Sequence, residues 1–377
     1  MNTFEPMGLY IHIPYCLSKC SYCDFFSIPL GTLTCRKIPN RYIDALLEEF
    51  FQRKEQFHIE SFSTVYFGGG TPSLLSEQQL ERLFQNISPF IKEKAEITFE
   101  CNPDDITVDF LTFLAKCGIT RLSLGIQTLQ NTALKMLGRR ASAADTRNAL
   151  QLIKKHWQGQ FSCDLIAGLP FVSNENFLED LDELFRYHPH HISCYALTLE
   201  EGTRLYEQIA SGEIVFNQEY ADEQWLLARD YLELNGYFQY EISNFSLKGF
   251  ESKHNKGYWL CQNYLGLGSG ATGTVNSYRY TNTSQLDAYL KNPFDKVCEE
   301  KLDRETKIFE FFMLGFRLVE GISRTEFKKK FAQEIDAYLE PTFSCWKKKG
   351  LAVQQGDTYK LSQRGLLFLN SFLEELL

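Results

Sequence analysis

Short apolar runs alternate with amphipathic stretches through the first two thirds of the 377 residues. Residues 9–13 read as a strand, and residues 41–55 have helical spacing, with Ile43, Leu46, Leu47 and Phe50 on one side. A strand over 63–67 runs into Gly68-Gly69-Gly70-Thr71-Pro72. Ser76, with Gln79 three residues on, then marks the start of a helix reaching about Asn86. The rhythm repeats with strands over 96–101, 121–125, 161–166 and 191–197, and helices over 108–116, 143–155 and 175–185. Strict alternation predicts an α/β fold of parallel units joined by right-handed crossovers. Six units are legible, and a closed barrel of eight would need two more. In either arrangement the C-terminal ends of the strands face the ligand.

Beyond Thr203 the rhythm changes. Residues 220–235 read as a helix with Trp225, Leu226, Tyr231 and Leu232 in its apolar set and Gly236 after its end. Residues 241–281 are rich in Gly, Ser, Asn and aromatics, and 292–303 read as a linker. Three helices follow, over 306–318, 323–330 and 335–349, the last ended by Gly350. Strands over 351–355 and 358–361 then flank the turn Gly356-Asp357, and Ser362 caps a final helix. Helices followed by a small hairpin resemble a winged-helix unit. The expected division is a core over 1–235, an irregular connecting segment over 236–300 and a winged-helix-like unit over 301–377.

Charge and composition narrow the function classes. A net charge of −9 argues against nucleic acid and anionic membranes as partners. Lys328-Lys329-Lys330 and Lys347-Lys348-Lys349 read as solvated helix faces. No stretch has the length of a membrane helix, and residues 1–8 carry no secretory pattern. Eleven cysteines, eight of them scattered singly, suit a reducing compartment, so the expected location is the cytoplasm. Cys101, Cys163 and Cys194 lie in apolar runs and read as core residues.

The remaining three, Cys16, Cys20 and Cys23, are spaced C-x3-C-x2-C in a loop after the first strand. Three thiolates fit three corners of a 4Fe-4S cube and leave the fourth iron open to a small molecule. Zinc is an alternative; it wants four ligands, and the nearby candidates are Asp24, His12 and Cys35. The glycine run lets backbone approach a ligand closely, or is an ordinary strand-to-helix turn. Glu100, Gln127 and Asp164 are polar residues in or at the ends of apolar strands, and Arg139 is a charge partner for a carboxylate.

The cysteine loop, with Tyr22 before its third cysteine, resembles that of the radical S-adenosylmethionine superfamily. The resemblance implies an open (β/α)6 three-quarter TIM barrel, and S-adenosylmethionine chelating the open iron of a 4Fe-4S cluster. Tyr10-Ile11-His12-Ile13-Pro14-Tyr15-Cys16, the glycine run, Glu100, Gln127, Arg139 and Asp164 together resemble the family of oxygen-independent coproporphyrinogen III oxidase and its relatives. That resemblance runs from about residue 8 to the C-terminus. It implies S-adenosylmethionine contacts at Tyr10, Gly69, Gly70, Thr71, Glu100, Gln127, Arg139, Asp164 and Thr198.

Two departures stand out. Phe25 occupies the place of the oxidase's fourth cysteine, and nine residues precede Tyr10, where the oxidase has a long extension. Both agree with a shorter, heme-chaperone branch of the family. The segment His254-Asn255-Lys256-Gly257-Tyr258-Trp259 resembles that branch's heme-linked motif, which implies a heme contact at His254. The expected protein carries heme to apo-hemoproteins, such as those of a respiratory chain, takes electrons for its cluster from a donor, and lacks coproporphyrinogen oxidase activity. Two alternatives remain. One is a coproporphyrinogen III dehydrogenase or another radical enzyme acting on a tetrapyrrole. The other is a winged-helix regulator with an iron-sulfur sensor.

Overall fold

In the computed structural model, which describes residues 6–32 and 37–376, a twelve-stranded sheet organises most of the chain. Cys35, the alternative zinc ligand, lies outside the described residues. Six strands succeed one another in space in chain order, all parallel. They are β1 (Met7–Ile13), β2 (Phe62–Gly69), β3 (Ile91–Cys101), β4 (Arg121–Gln127), β5 (Gln160–Ala167) and β6 (His191–Ala196). Helices Asn40–Gln56, Glu77–Ile87, Val108–Lys116, Ala143–His156 and Asn174–Phe185 return the chain between them. Ser76 and Gln79 form the expected capping box.

Alternation along the strands sorts two environments. Leu9, Ile11, Val65, Phe67, Phe99, Leu122, Leu124, Cys163 and Leu165 join helix residues such as Leu46, Phe50, Leu83, Leu150 and Leu181 in one apolar core. The opposite positions are polar and bond one another: Tyr66 with Glu100, Ser123 with Ser162, and both Ser123 and Ser193 with Asp164. The apolar side drives collapse, and the polar side leaves a lumen for chemistry.

The segment 236–300 is not irregular. It supplies β7 (Phe238–Gln239), β8 (Asn244–Ser246), β9 (Asn263–Leu267), β10 (Thr272–Val275), β11 (Tyr278–Asn282) and β12 (Lys296–Lys301) to the same sheet. β9 lies parallel beside β1, and β10–β12 extend that edge antiparallel. β8 and β7 extend the other edge beyond β6. The terminal strands β12 and β7 do not pair with each other, so the barrel is open, as expected. The linker over 292–303 is largely edge strand β12.

A buried ion pair locks β9–β11 to the first helix. Arg53 Nε lies 2.6 Å from Glu49 Oε1, both side chains fully buried, and Arg53 Nη2 donates to Asn282 Oδ1 at 2.6 Å. Glu49 Oε2 accepts from Gly268 N and Tyr289 Oη, each at 2.9 Å.

A second apolar cluster, including Phe312, Phe316, Phe327, Phe343, Trp346 and Phe372, forms the C-terminal unit. Its sheet orders β13 (Ile322–Ser323), β15 (Thr358–Leu361) and β14 (Ala352–Gln355), the last two joined by the expected hairpin. The helix expected over 335–349 is two, Asp336–Leu339 and Thr342–Lys348. Pro341 has no N–H for a continuous helix. The final helix is likewise two, Gln363–Leu366 and Leu369–Leu376. Among the described residues no helix is long and apolar enough to cross a membrane.

Candidate cofactor cleft at the strand C-termini

The cysteine loop leaves β1 and is tied down along its length. Tyr15–Cys16 ladders with Ile28–Pro29, Ser21 N donates to Leu137 O at 2.9 Å, and Leu205 N donates to Ser21 O at 2.8 Å. Beneath the loop, His12 Nε2 pairs with Phe26 O at 3.1 Å and Nδ1 with Tyr10 Oη at 2.9 Å. Burial holds the His12 ring neutral, its pKa lowered to about 4. The hydroxyl therefore donates to Nδ1, and Nε2 donates to the carbonyl.

A cavity of about 460 Å³ opens between this loop and the C-terminal ends of the parallel strands. Cys16, Cys20 and Cys23 line it, with Gly69, Gly70 and Thr71 from the end of β2. Glu100, Gln127, Arg139, Asp164 and Thr198, also predicted, line the same space. Gln127 keeps a left-handed backbone, φ 70°, at the bulge ending β4. Two glycines are dictated by approach distance. A Cβ on Gly70 would stand 2.7 Å from Tyr15 O, and one on Gly69, φ 111°, would stand 2.5 Å from the His12 ring.

Charge is arranged around the thiols. Arg139 Nη1 donates to Cys20 Sγ at 3.6 Å, while its Nη2 holds Asn102 Oδ1 at 2.7 Å and Gly125 O; its buried Nε has no partner among the described residues. Thr71 Oγ1 donates to Cys16 Sγ at 3.5 Å. Burial pushes the Cys23 thiol up to about 11 and raises Cys16 as well. Opposite them stand two carboxylates. Burial lifts Glu100 to about 7 against the hydrogen bond from Tyr66, with nearby Asp164 adding to the lift. Asp164 is also raised by burial, which bonds from Ser193 and Ser123 oppose.

Two predicted residues lie elsewhere. Tyr10 sits one layer below the cavity, against His12 and Tyr66. His254 lies at the opposite, N-terminal end of the barrel, buried in the helix Lys253–Trp259 that plugs its floor. Its Nδ1 pairs with Thr64 Oγ1 and its Nε2 with Tyr258 Oη, both at 2.9 Å, and burial lowers its pKa to about 3. The residues that sequence reasoning missed are Tyr66, Ser123 and Ser193, which hold the cleft carboxylates. Their signal was a polar residue at alternate positions of otherwise apolar strands.

The donor set suits the implied cofactors. No three His, Cys, Asp or Glu side chains among the described residues converge on a single metal ion. A cubane asks for something different, one thiolate at each of three corners, and three thiols line one cavity beside a guanidinium. The glycine cradle and the facing carboxylates match a cationic amino acid derivative in the same space.

A three-thiol loop and a glycine cradle above an open parallel barrel define a radical S-adenosylmethionine protein. Residues 10–184 match the model of the radical SAM superfamily and 302–368 that of the HemN C-terminal domain. The cofactors of that class are a 4Fe-4S cluster and S-adenosylmethionine. The chain belongs to the heme chaperone HemW family. It is 36% identical to heme chaperone HemW of Lactococcus lactis over 87% of this chain and 86% of that one. It is 34% identical to heme chaperone HemW of Buchnera aphidicola over 99% of each. The fold is also that of coproporphyrinogen III oxidase from Escherichia coli, with a TM-score of 0.84 over 98% of this chain and 89% of that one, at 19% identity.

Proposed function

We propose that this protein binds heme and passes it to apo-hemoproteins, with a 4Fe-4S cluster on Cys16, Cys20 and Cys23 and S-adenosylmethionine beside it. The observation that carries this reading is near-full-length similarity to heme chaperones, both domain models included. Phe25, 66% exposed on the cysteine loop, supports it, since it stands where the resembling oxidase has a fourth cysteine. Hemoproteins of a respiratory chain, a separate electron donor and a cytoplasmic location belong to the same proposal. So do a functional division at about residue 300 and the absence of a nucleic-acid partner.

The chain's own residues supply binding and orientation. Gly69 and Gly70 admit the ligand's amino acid end to the backbone. Glu100 and Asp164, which line the cavity, would accept from its cationic and hydroxyl groups, Gln127 and Thr198 would add polar contacts, and Tyr10 props His12 below. Arg139 offsets thiolate charge at Cys20. When bound, the cluster supplies single-electron reduction of the sulfonium. His254 as a heme contact carries a condition: either ring nitrogen reaches iron only after Thr64 or Tyr258 lets go.

The test is anaerobic reconstitution followed by heme titration, with an apo-hemoprotein as acceptor. A saturable heme spectrum and transfer to the acceptor are expected, with no protoporphyrinogen from coproporphyrinogen III. Efficient conversion of that substrate would replace this reading with the second one, a coproporphyrinogen dehydrogenase, which the shared fold favours.

A further inference from the structure

We propose that Tyr66 is a positioning residue that couples the barrel floor at His254 to the cleft carboxylate Glu100. The inference rests on reading the cleft as the S-adenosylmethionine site and adds a link between that cleft and the opposite end of the barrel.

One strand carries every contact. On β2, Thr64 Oγ1 meets His254 Nδ1 at 2.9 Å. Two residues on, the Tyr66 ring stacks on the His254 ring, centroids 5.1 Å apart and planes at 29°. The Tyr66 hydroxyl donates to Glu100 Oε1 at 2.8 Å, and Gly69 N donates to Glu100 Oε2 at 3.2 Å. Tyr66 thus has its ring on a floor residue and its hydroxyl on a ligand-facing carboxylate. Little space lets it re-aim. A Cβ on Gly68 would stand 2.8 Å from the Tyr66 ring and 3.1 Å from the Glu100 carboxylate, so the pair is pressed against backbone.

The surroundings leave Glu100 dependent on these two donors. The groups facing it are Asp164 from β5, Tyr10 from β1, Tyr195 from β6 and Tyr258 from the floor helix, with Cys101 beside it on β3. The tyrosines are neutral, and Asp164 repels a second negative charge. Removing the Tyr66 hydroxyl takes away a bond that favours the carboxylate form. Moving His254 frees one face of the Tyr66 ring and loosens the same bond. Occupancy or displacement at the floor therefore reaches the cleft through a single side chain, and by linkage the ligand in the cleft acts back on the floor.

The test is calorimetric titration of S-adenosylmethionine into cluster-reconstituted protein over roughly pH 6 to 8.5, the range around the Glu100 transition. The variants are Tyr66→Phe, His254→Ala, Thr64→Val and the double Tyr66→Phe/His254→Ala. Wild type is expected to lose affinity as pH falls through about 7. Tyr66→Phe is expected to move that midpoint up by about one unit. His254→Ala and Thr64→Val should move it the same way by less, and the double should move it no further than Tyr66→Phe alone. Thr64→Val removes only a hydroxyl contact and serves if His254→Ala does not fold. A wild-type midpoint in Tyr66→Phe, or shifts that add in the double, overturns the coupling. Wild type that binds no S-adenosylmethionine at any pH overturns the reading of the cleft instead.

Discussion

Arg139 and Cys20 meet side chain to side chain, the guanidinium Nη1 donating to the thiol sulfur at 3.6 Å. Among the described residues no other cysteine of the loop is hydrogen-bonded to an arginine, and the same guanidinium fastens Asn102 and Gly125. The cation therefore sets both the charge beside one thiol of the loop and the shape of the cleft wall.

Arg139→Met is expected to cost about 2 kcal/mol of local interaction, a loss of a charged hydrogen bond. Iron and sulfide retained after gel filtration should fall, and the cluster midpoint in an EPR titration should move negative. Arg139→Lys keeps the charge without the fork and should fall between. Unchanged iron content and midpoint in Arg139→Met would contradict the assignment.

Gly70→Ala puts a methyl group against Tyr15 O at 2.7 Å and Pro14 C at 2.9 Å, both backbone. Overpacking of this kind costs about 1–3 kcal/mol. Because the clash lies at the root of the cysteine loop, iron incorporation should drop with it. Gly31→Ala, whose Cβ meets Leu17 O at an ordinary 3.6 Å as its nearest contact among the described residues, should reconstitute normally. Equal iron content in the two variants would refute the close-approach account.

Arg53→Met leaves the fully buried Glu49 without its cation. A stranded buried charge costs about 3–5 kcal/mol, read as a lower denaturant midpoint. Adding Glu49→Gln should recover much of that loss. Two substitutions that simply sum would mean the pair is not coupled.

His12 titrates at about 4 in the fold against an ordinary 6.5. The unfolded chain binds this proton between those values and the native one does not, so its contribution is complete above 6.5 and lost as pH falls toward 4. The stability gap between wild type and His12→Gln should be flat above pH 6.5 and shrink by roughly 3 kcal/mol on acidification. Glu100 and Glu241, both lifted to about 7 by burial, have the opposite slope between 4.5 and 7. Wild-type stability alone is therefore shallow there, and the difference measurement is the informative one.

The six parallel units were legible because each carries its own local periodicity, with Ser76 marking one helix start by its cap. The segment 236–300 was not, because its glycines look like loop composition. They sit in strands because something stands where a side chain would go. A Cβ on Gly266 would meet Thr272 O, and one on Gly273 would meet the Tyr280 hydroxyl, which itself bonds Gly266. Such contacts are visible only once distant strands are neighbours. Glu100 and Gln127 were legible from their positions at strand ends and Asp164 as a carboxyl inside an apolar strand, whereas Thr198 came only from the family resemblance. The setting of His254 was not, since its partners Thr64 and Glu96 lie far back in the chain.

The pairing of Met7–Ile13 with Asn263–Leu267 has a consequence for biogenesis. The strand that aims the three thiols acquires its second neighbour only after more than two thirds of the polypeptide has been made. A nascent chain on the ribosome exposes those thiols on a half-supported edge until then. A fragment lacking the last third is expected to have a cysteine loop that wanders and to take up iron poorly on reconstitution, and iron analysis beside the full chain checks this.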